Sequence, residues 1–327
     1  MWNSFIELSG ANVEWCLPAA FALDLALGDP RWLPHPVWMI GIAATTLEKL
    51  FVYCLGRTYF AGLLCTAVIV GGTWAITAAL VTAATVCDWR TGLVAQTLLL
   101  YTTLAARDLA VESGHVYRAL ASDDLPQARR ALSMIVGRDT RSLDESEVVR
   151  AAVETVAESS VDGVVAPLVF ALLGGAPAAM AYKAINTLDS MVGHRDDRYR
   201  RFGWASARLD DVANLVPARL ARLIYPAASL LCGYNALRTW RTAWRDGRNS
   251  PSPNAGIAEA AVAGALGVRL GGTNFYEGVA CARPFLGESL VPLARDHIPA
   301  AVRLMYCVSV LTLFLGLGLR MLAWHAW

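Results

Sequence analysis

TYFAGLLCTAVIVGGTWAITAALVTAATVC, residues 58–87, contains no Asp, Glu, Lys, Arg or His. A membrane-spanning helix needs about 20 predominantly apolar residues, so this stretch is long enough to cross a bilayer with some to spare. Residues 304–319, continued past Arg320, form a second such run, and 91–106, 163–182 and 223–237 are shorter or interrupted. The whole chain agrees. Of its 327 residues 56% are hydrophobic and only 17% charged, against about 25% charged in soluble domains. The expected fold is therefore all-α: a polytopic integral membrane helical bundle, one domain over residues 1–327, with broken or re-entrant helices and a polar cytoplasmic face.

Net charge is +1, so no bulk field draws the chain to nucleic acid, and no nucleic-acid partner is expected. The charges are segregated instead, chiefly between residues 107 and 208 and again between 238 and 248. Loops rich in Arg and Lys stay in the cytoplasm, which places 107–162 and 183–211 there. The seven cysteines form no C-x-x-C pair and read as small buried hydrophobes.

The polar segments carry the chemistry. Glu154, Glu158 and Asp162 are spaced four apart, which stacks them on one helix face. An uncharged run follows, broken by Gly174-Gly175-Ala176-Pro177, and then Lys183, Asn186 and Asp189 return at helical spacing. Gly-Gly-Ala-Pro is a strong helix breaker. Either 163–182 crosses the bilayer once or the chain reverses at the break. The reversal is favoured, because it brings both polar clusters to one side. Ser142-Leu143-Asp144-Glu145 has the form of a capping box opening the helix that bears the acids. Upstream, GDPRWLPHPVWMIG (28–41) is a proline-stiffened, non-helical crossing with Asp29, Arg31 and His35 in reach of a site. Downstream, RLGGTNFYEG (269–278) reads as a glycine-loosened loop.

Hard oxygen ligands suit Mg²⁺, and arginines suit phosphate or carboxylate. Glu154, Glu158 and Asp162 are thus the candidate metal ligands and, with Lys183, Asn186 and Asp189, the candidate catalytic set. Asp29, His35, Arg195, Arg198, Arg208, Asp210, Asn254 and Asn274 are the candidate substrate- or phosphate-binding residues. Plainer readings stand beside these. Acids four apart also form solvated stripes, Lys183 and Asp189 also suit a buried ion pair, and the arginines of 195–201 and 238–248 also suit anchoring to anionic lipid. No Walker A, Rossmann glycine or nucleophile-elbow pattern occurs, and the histidines lack zinc spacing.

Taken together, GDPRWLPHPV (28–37), the acid stack running into GVVAPL (163–168), KAINTLDSMVGHRDDRYRRFGWASARLDD (183–211), SPNAGIAEAAVAGALGVRLGG (252–272) and RPFLGE (283–288) resemble the adenosylcobinamide-phosphate synthase family of cobalamin (vitamin B12) biosynthesis. The resemblance covers nearly the whole chain. It implies a multi-pass protein of the cell inner membrane with its active site facing the cytoplasm. The implied activity is a C–N ligase joining the free propionate of adenosylcobyric acid to (R)-1-amino-2-propanol or its O-phosphate. ATP and Mg²⁺ are the expected cofactors, the adenosylated corrinoid is substrate, and membrane lipid and other cobalamin-pathway membrane enzymes are the expected partners. In that frame the three acids would hold Mg²⁺, and Lys183 with the arginines of 195–208 would hold phosphate. Asn186 and Asp189 would orient the carboxylate or accept the amine proton, and Asn254 with the backbone of 271–274 would receive nucleotide. The competing reading is a non-catalytic corrinoid-binding scaffold or a transporter.

Overall fold

A computed structural model of the chain describes residues 12–30, 35–193 and 197–325, with side chains to residue 322. In chain order the elements are α1 (Val13–Leu27), α2 (Pro36–Leu55), α3 (Tyr59–Cys87), α4 (Trp89–Tyr101), α5 (Ala106–Ala121), α6 (Leu125–Leu132) and α7 (Glu145–Ser160). A π-turn (Val161–Val165) leads into α8 (Ala166–Val192), followed by α9 (Trp204–Ala213), α10 (Leu215–Leu231), α11 (Ala236–Arg245) and α12 (Ala255–Leu266). Strands β1 (Leu270–Tyr276) and β2 (Val279–Leu286) precede the last helix, α13 (His297–His325). The described residues group into two compact units. The first draws on 1–105, 166–214 and 315–327, the second on 106–165 and 215–314.

This is a helical membrane protein. Pro36–Leu55, Tyr59–Cys87, Glu145–Val192 and His297–Leu322 are long and apolar enough to cross a bilayer. On α3 the run 58–87 forms one 29-residue helix, opened by Thr58, whose hydroxyl accepts from the Ala61 amide. Its outward side chains, such as Ile76 (64% exposed), are what hydrocarbon rather than water would cover. Its inward face joins the core of the first unit: Ala61, Cys65 and Ile69 with Ile40, Met180, Leu188 and Phe202.

The stretch Glu145–Val192 is not one rod. Gly174 and Gly175 leave helical geometry, and Gly175 adopts φ +65°, ψ −157°, a region open in practice only to glycine. The ring of Phe170 stacks on that of Tyr182 at 4.9 Å between centroids. Twelve residues of straight helix would separate them by about 18 Å, so the chain reverses at the break, as the sequence reading favoured. The carbonyl of Leu172, which the break deprives of a helical donor, accepts instead from Arg320 Nη1 on α13 at 2.6 Å.

Two local expectations need correction. The capping box is present but belongs to Asp144 and Glu147, each side chain accepting from the other's amide at 2.8 and 3.0 Å. Residues 269–278 are not a loop but form most of one side of a small two-stranded sheet, the sole sheet among the described residues of an otherwise helical fold. Leu270–Tyr276 pairs antiparallel with Val279–Leu286, with a register shift between Leu270 and Gly272. Glu277 and Gly278 make the two-residue turn with φ of +50° and +79°, the left-handed pair a tight hairpin uses.

Candidate functional site

In the second unit, α7 carries ten buried residues, and two of them are ionisable: Arg150 and Glu154. They lie one turn apart, and each is met by partners from elsewhere in the unit. Glu154 Oε2 accepts from Arg138 Nη2 at 2.7 Å, and Oε1 accepts from Arg150 Nη1 at 3.2 Å and from the Gly271 amide at 2.8 Å. Asn274 Oδ1 accepts from Arg138 Nη1 and Arg150 Nη1 at 2.8 and 3.1 Å. Arg150 also donates to the carbonyls of Gly271 and Thr273. The register shift beside Gly271 turns one backbone amide and two carbonyls of β1 toward α7. A buried ion cluster thus ties the hairpin to the helix.

Beside it, Glu259 is 4% exposed on the otherwise apolar helix α12, and its Oε1 lies 3.9 Å from Arg283 Nη1 on β2. Burial, with the carboxylates of Glu158 and Glu154 nearby, pushes the Glu259 carboxyl up to about 8. Burial works against the charge of Arg283, but Tyr276, Glu259, Glu158 and Glu154 together hold its guanidinium protonated. This corner can therefore keep a proton on Glu259 near neutral pH while a fixed cation stands next to it.

The expected three-carboxylate metal site does not form. Among the described residues no group of three His, Cys, Asp or Glu side chains is placed to hold a metal ion. Both oxygens of Glu154 are taken by arginines and an amide. Asp162 sits in the π-turn, beyond the end of the helix that carries Glu154 and Glu158. The backbone of 271–274 serves Glu154 and Arg150, and Asn254 Oδ1 accepts from Arg219 Nη1 at 2.6 Å.

The other candidates fall in the first unit and form a second polar centre. Asn214 Nδ2 donates to Asp210 Oδ2 at 3.1 Å, and Tyr182 donates to Asn214 Oδ1 at 2.9 Å. Burial and the Asp189 carboxylate push the Asp210 carboxyl up to about 7, against the amides of Asn214 and Asn186. Asn186, Asp189 and Asp210 are thus brought together, with Lys183 half-buried one turn earlier on α8. Because the folded state raises the Asp210 value above that of the unfolded chain, it binds the proton more tightly. The stability gained this way is complete at acid pH and is lost as pH rises toward 7. Thermal unfolding in detergent should show the melting temperature falling between about pH 4 and pH 8, with a shallower slope in Asp210→Asn.

The remaining candidates have structural partners. Arg198 lies 3.7 Å from Glu48 and over the Tyr199 ring, and exposed Arg208 lies 3.5 Å from Asp211. His35 Nδ1 accepts from the Val37 amide, capping α2, and its Nε2 is 3.5 Å from Asp29. Arg195 lies outside the described residues. The sequence reading missed Arg138, Arg150, Glu259, Arg283 and Asn214. Arg150 had a signal, four residues before Glu154, and so did Glu259, the lone acid in an apolar helix. Arg138 and Arg283 stand in segments without periodicity.

Comparison with known proteins adds the family. Residues 17–305 match the model of the family described as CobD/Cbib protein. A "Cobalamin biosynthesis protein CobD" of Geobacter metallireducens is 52% identical over 297 residues, covering 91% of this chain and 93% of the relative. A "Cobalamin biosynthesis protein CbiB" of Salmonella typhimurium is 44% identical over 312 residues, covering 94% and 97%. No solved structure matches the chain. With a family model spanning most of its length and relatives this similar over nearly all of theirs, the chain belongs to the CobD/Cbib family.

Proposed function

We propose that this protein acts in cobalamin biosynthesis as an amide-forming ligase. It would join the propionate of adenosylcobyric acid to (R)-1-amino-2-propanol or its O-phosphate, at the inner membrane from the cytoplasmic side. The pathway comes from the relatives' names. The observation that carries the chemistry is the pair of buried Glu259 and half-buried Arg283 beside Glu158. A carboxylate is a poor electrophile, so ATP with Mg²⁺ belongs to the proposal as the source of activation. The three-carboxylate arrangement does not fit Mg²⁺, and no step is assigned to the ion.

The chain's own residues have definite tasks in such a reaction. An amine reaches the site as an ammonium ion and must lose a proton before it can attack. A carboxyl that titrates near neutral pH suits that transfer, and Glu259 with Glu158 would take the proton. Arg283, whose nearest carboxyl is protonated half the time near pH 8, would keep charge free for an anionic substrate group.

Purified protein supplied with ATP, Mg²⁺, adenosylcobyric acid and either amine is expected to yield the amide, followed by mass spectrometry. Glu259→Gln should lower kcat by about 10²–10⁴-fold with little change in KM. If neither amine gives product while the corrinoid still binds, the protein is a scaffold or carrier and the ligase assignment fails.

A further inference from the structure

Arg222 is 5% exposed, and no acidic side chain pairs with it among the described residues. Its Nε is buried without a hydrogen-bond partner. Its neighbours deepen the anomaly. Its guanidinium lies 4.5 Å from the centre of the Trp244 ring, and that of Arg248 lies 6.0 Å from the same ring. The charges nearest to it are Arg219 and Arg248, and with burial they disfavour its own. The acid beside Trp244 and Arg248 in sequence, Asp246, is committed to Arg245 at 2.7 Å and to the Gly287 amide at 2.8 Å. Stacking on an indole offsets only part of the cost of burying a cation. Three cations converge with no anion among the described side chains.

The backbone holds this corner closed behind them. Gly247 lies so near Ile257 that a Cβ there would sit 3.1 Å from the Ile257 Cα, so Arg248 is held against the start of α12. At that start the Asn254 side chain makes no cap bond and accepts from Arg219 instead. Ser252 Oγ accepts there from the Asn254 and Ala255 amides, both at 3.3 Å, and the positive end of the helix adds to the field of the three arginines. Arg219 and Arg248 are exposed, so the corner is open to a ligand on one side.

We propose that Arg219, Arg222 and Arg248, at the start of α12, bind the phosphoryl oxyanion of a ligand. Arg222 is the buried contact and the other two are the exposed ones. A soluble phosphate ester and a phospholipid headgroup present the same group. The site shares no residue with the Glu259–Arg283 pair and does not depend on the reaction proposed above.

The test is thermal unfolding of the full chain with pyrophosphate in nonionic detergent, against sodium chloride at equal ionic strength. A parallel arm uses nanodiscs of phosphatidylglycerol or phosphatidylcholine. Wild-type protein is expected to gain melting temperature from pyrophosphate or from phosphatidylglycerol, and which of the two does so identifies the source. Arg222→Gln should weaken that anion roughly 10–100-fold, as loss of a charged hydrogen bond does, without lowering the melting temperature in its absence. Arg248→Gln, at an exposed position, gives the same readout if the buried variant does not fold. Equal stabilisation of wild type and both variants, or none by either anion, overturns the proposal. So does a loss of melting temperature in Arg222→Gln that is the same with and without anion, since that is what a packing role predicts.

Discussion

Glu154→Ala is expected to destabilise the protein by about 3–5 kcal/mol, the range for removing one partner of a buried ion pair. The substitution leaves Arg138 and Arg150, both about nine-tenths buried, facing each other with only the Asn274 oxygen between them. It also frees the Gly271 amide. Glu154→Gln keeps the shape and one acceptor, so it should fall between wild type and alanine. Replacing Arg150 together with Glu154 should cost less than the two single changes combined, because only Arg138, rather than both arginines, is then left without its carboxylate. Unfolding in detergent measures all three. A loss below about 1 kcal/mol for Glu154→Ala would mean the cluster is open to water.

The second large effect is expected at the reversal of α8. Gly175→Val places a β-branched residue where φ is +65° and ψ is −157°, and the strain alone is worth about 1–3 kcal/mol. The larger consequence is the chain's path. With cysteines at 170 and 182, a short bis-thiol reagent should cross-link the wild-type background, since the native rings stack at 4.9 Å. In Gly175→Val the arms lose their reversal and the yield should collapse. Cross-linking that survives unchanged would show that Gly174 and Pro177 turn the chain without Gly175.

These two sites also mark what a reader of the sequence could see. The reversal was legible because Gly-Gly-Ala-Pro breaks a helix by local chemistry that any environment respects. The long span at 58–87 was legible for the same reason, since thirty residues without an Asp, Glu, Lys, Arg or His leave few soluble alternatives. The Glu154 cluster was half legible. Periodicity puts Arg150 and Glu154 on one face, but Arg138 and Asn274 arrive through tertiary folding, which no spacing records. The strand 270–276 was hidden by Gly271 and Gly272, whose positive φ values belong to a bulge and read as a loop. The first-unit residues were better served: Asn186, Asp189 and Asp210 were each named in advance, and the helix spacing of the first two was correct.

The bond from Arg320 to the Leu172 carbonyl spans 148 residues of chain, and a Cβ at Gly316 on the same helix would collide with the Leu172 side chain. The bend in α8 therefore cannot receive its last donor until translation has run that much further. At elongation rates of about 5–20 residues per second this is roughly 7–30 s. For that interval a bare peptide oxygen at the tip of the bend must be tolerated by the insertion machinery or by water. Helix α13 thus acts as the latch on a bend begun long before it was made.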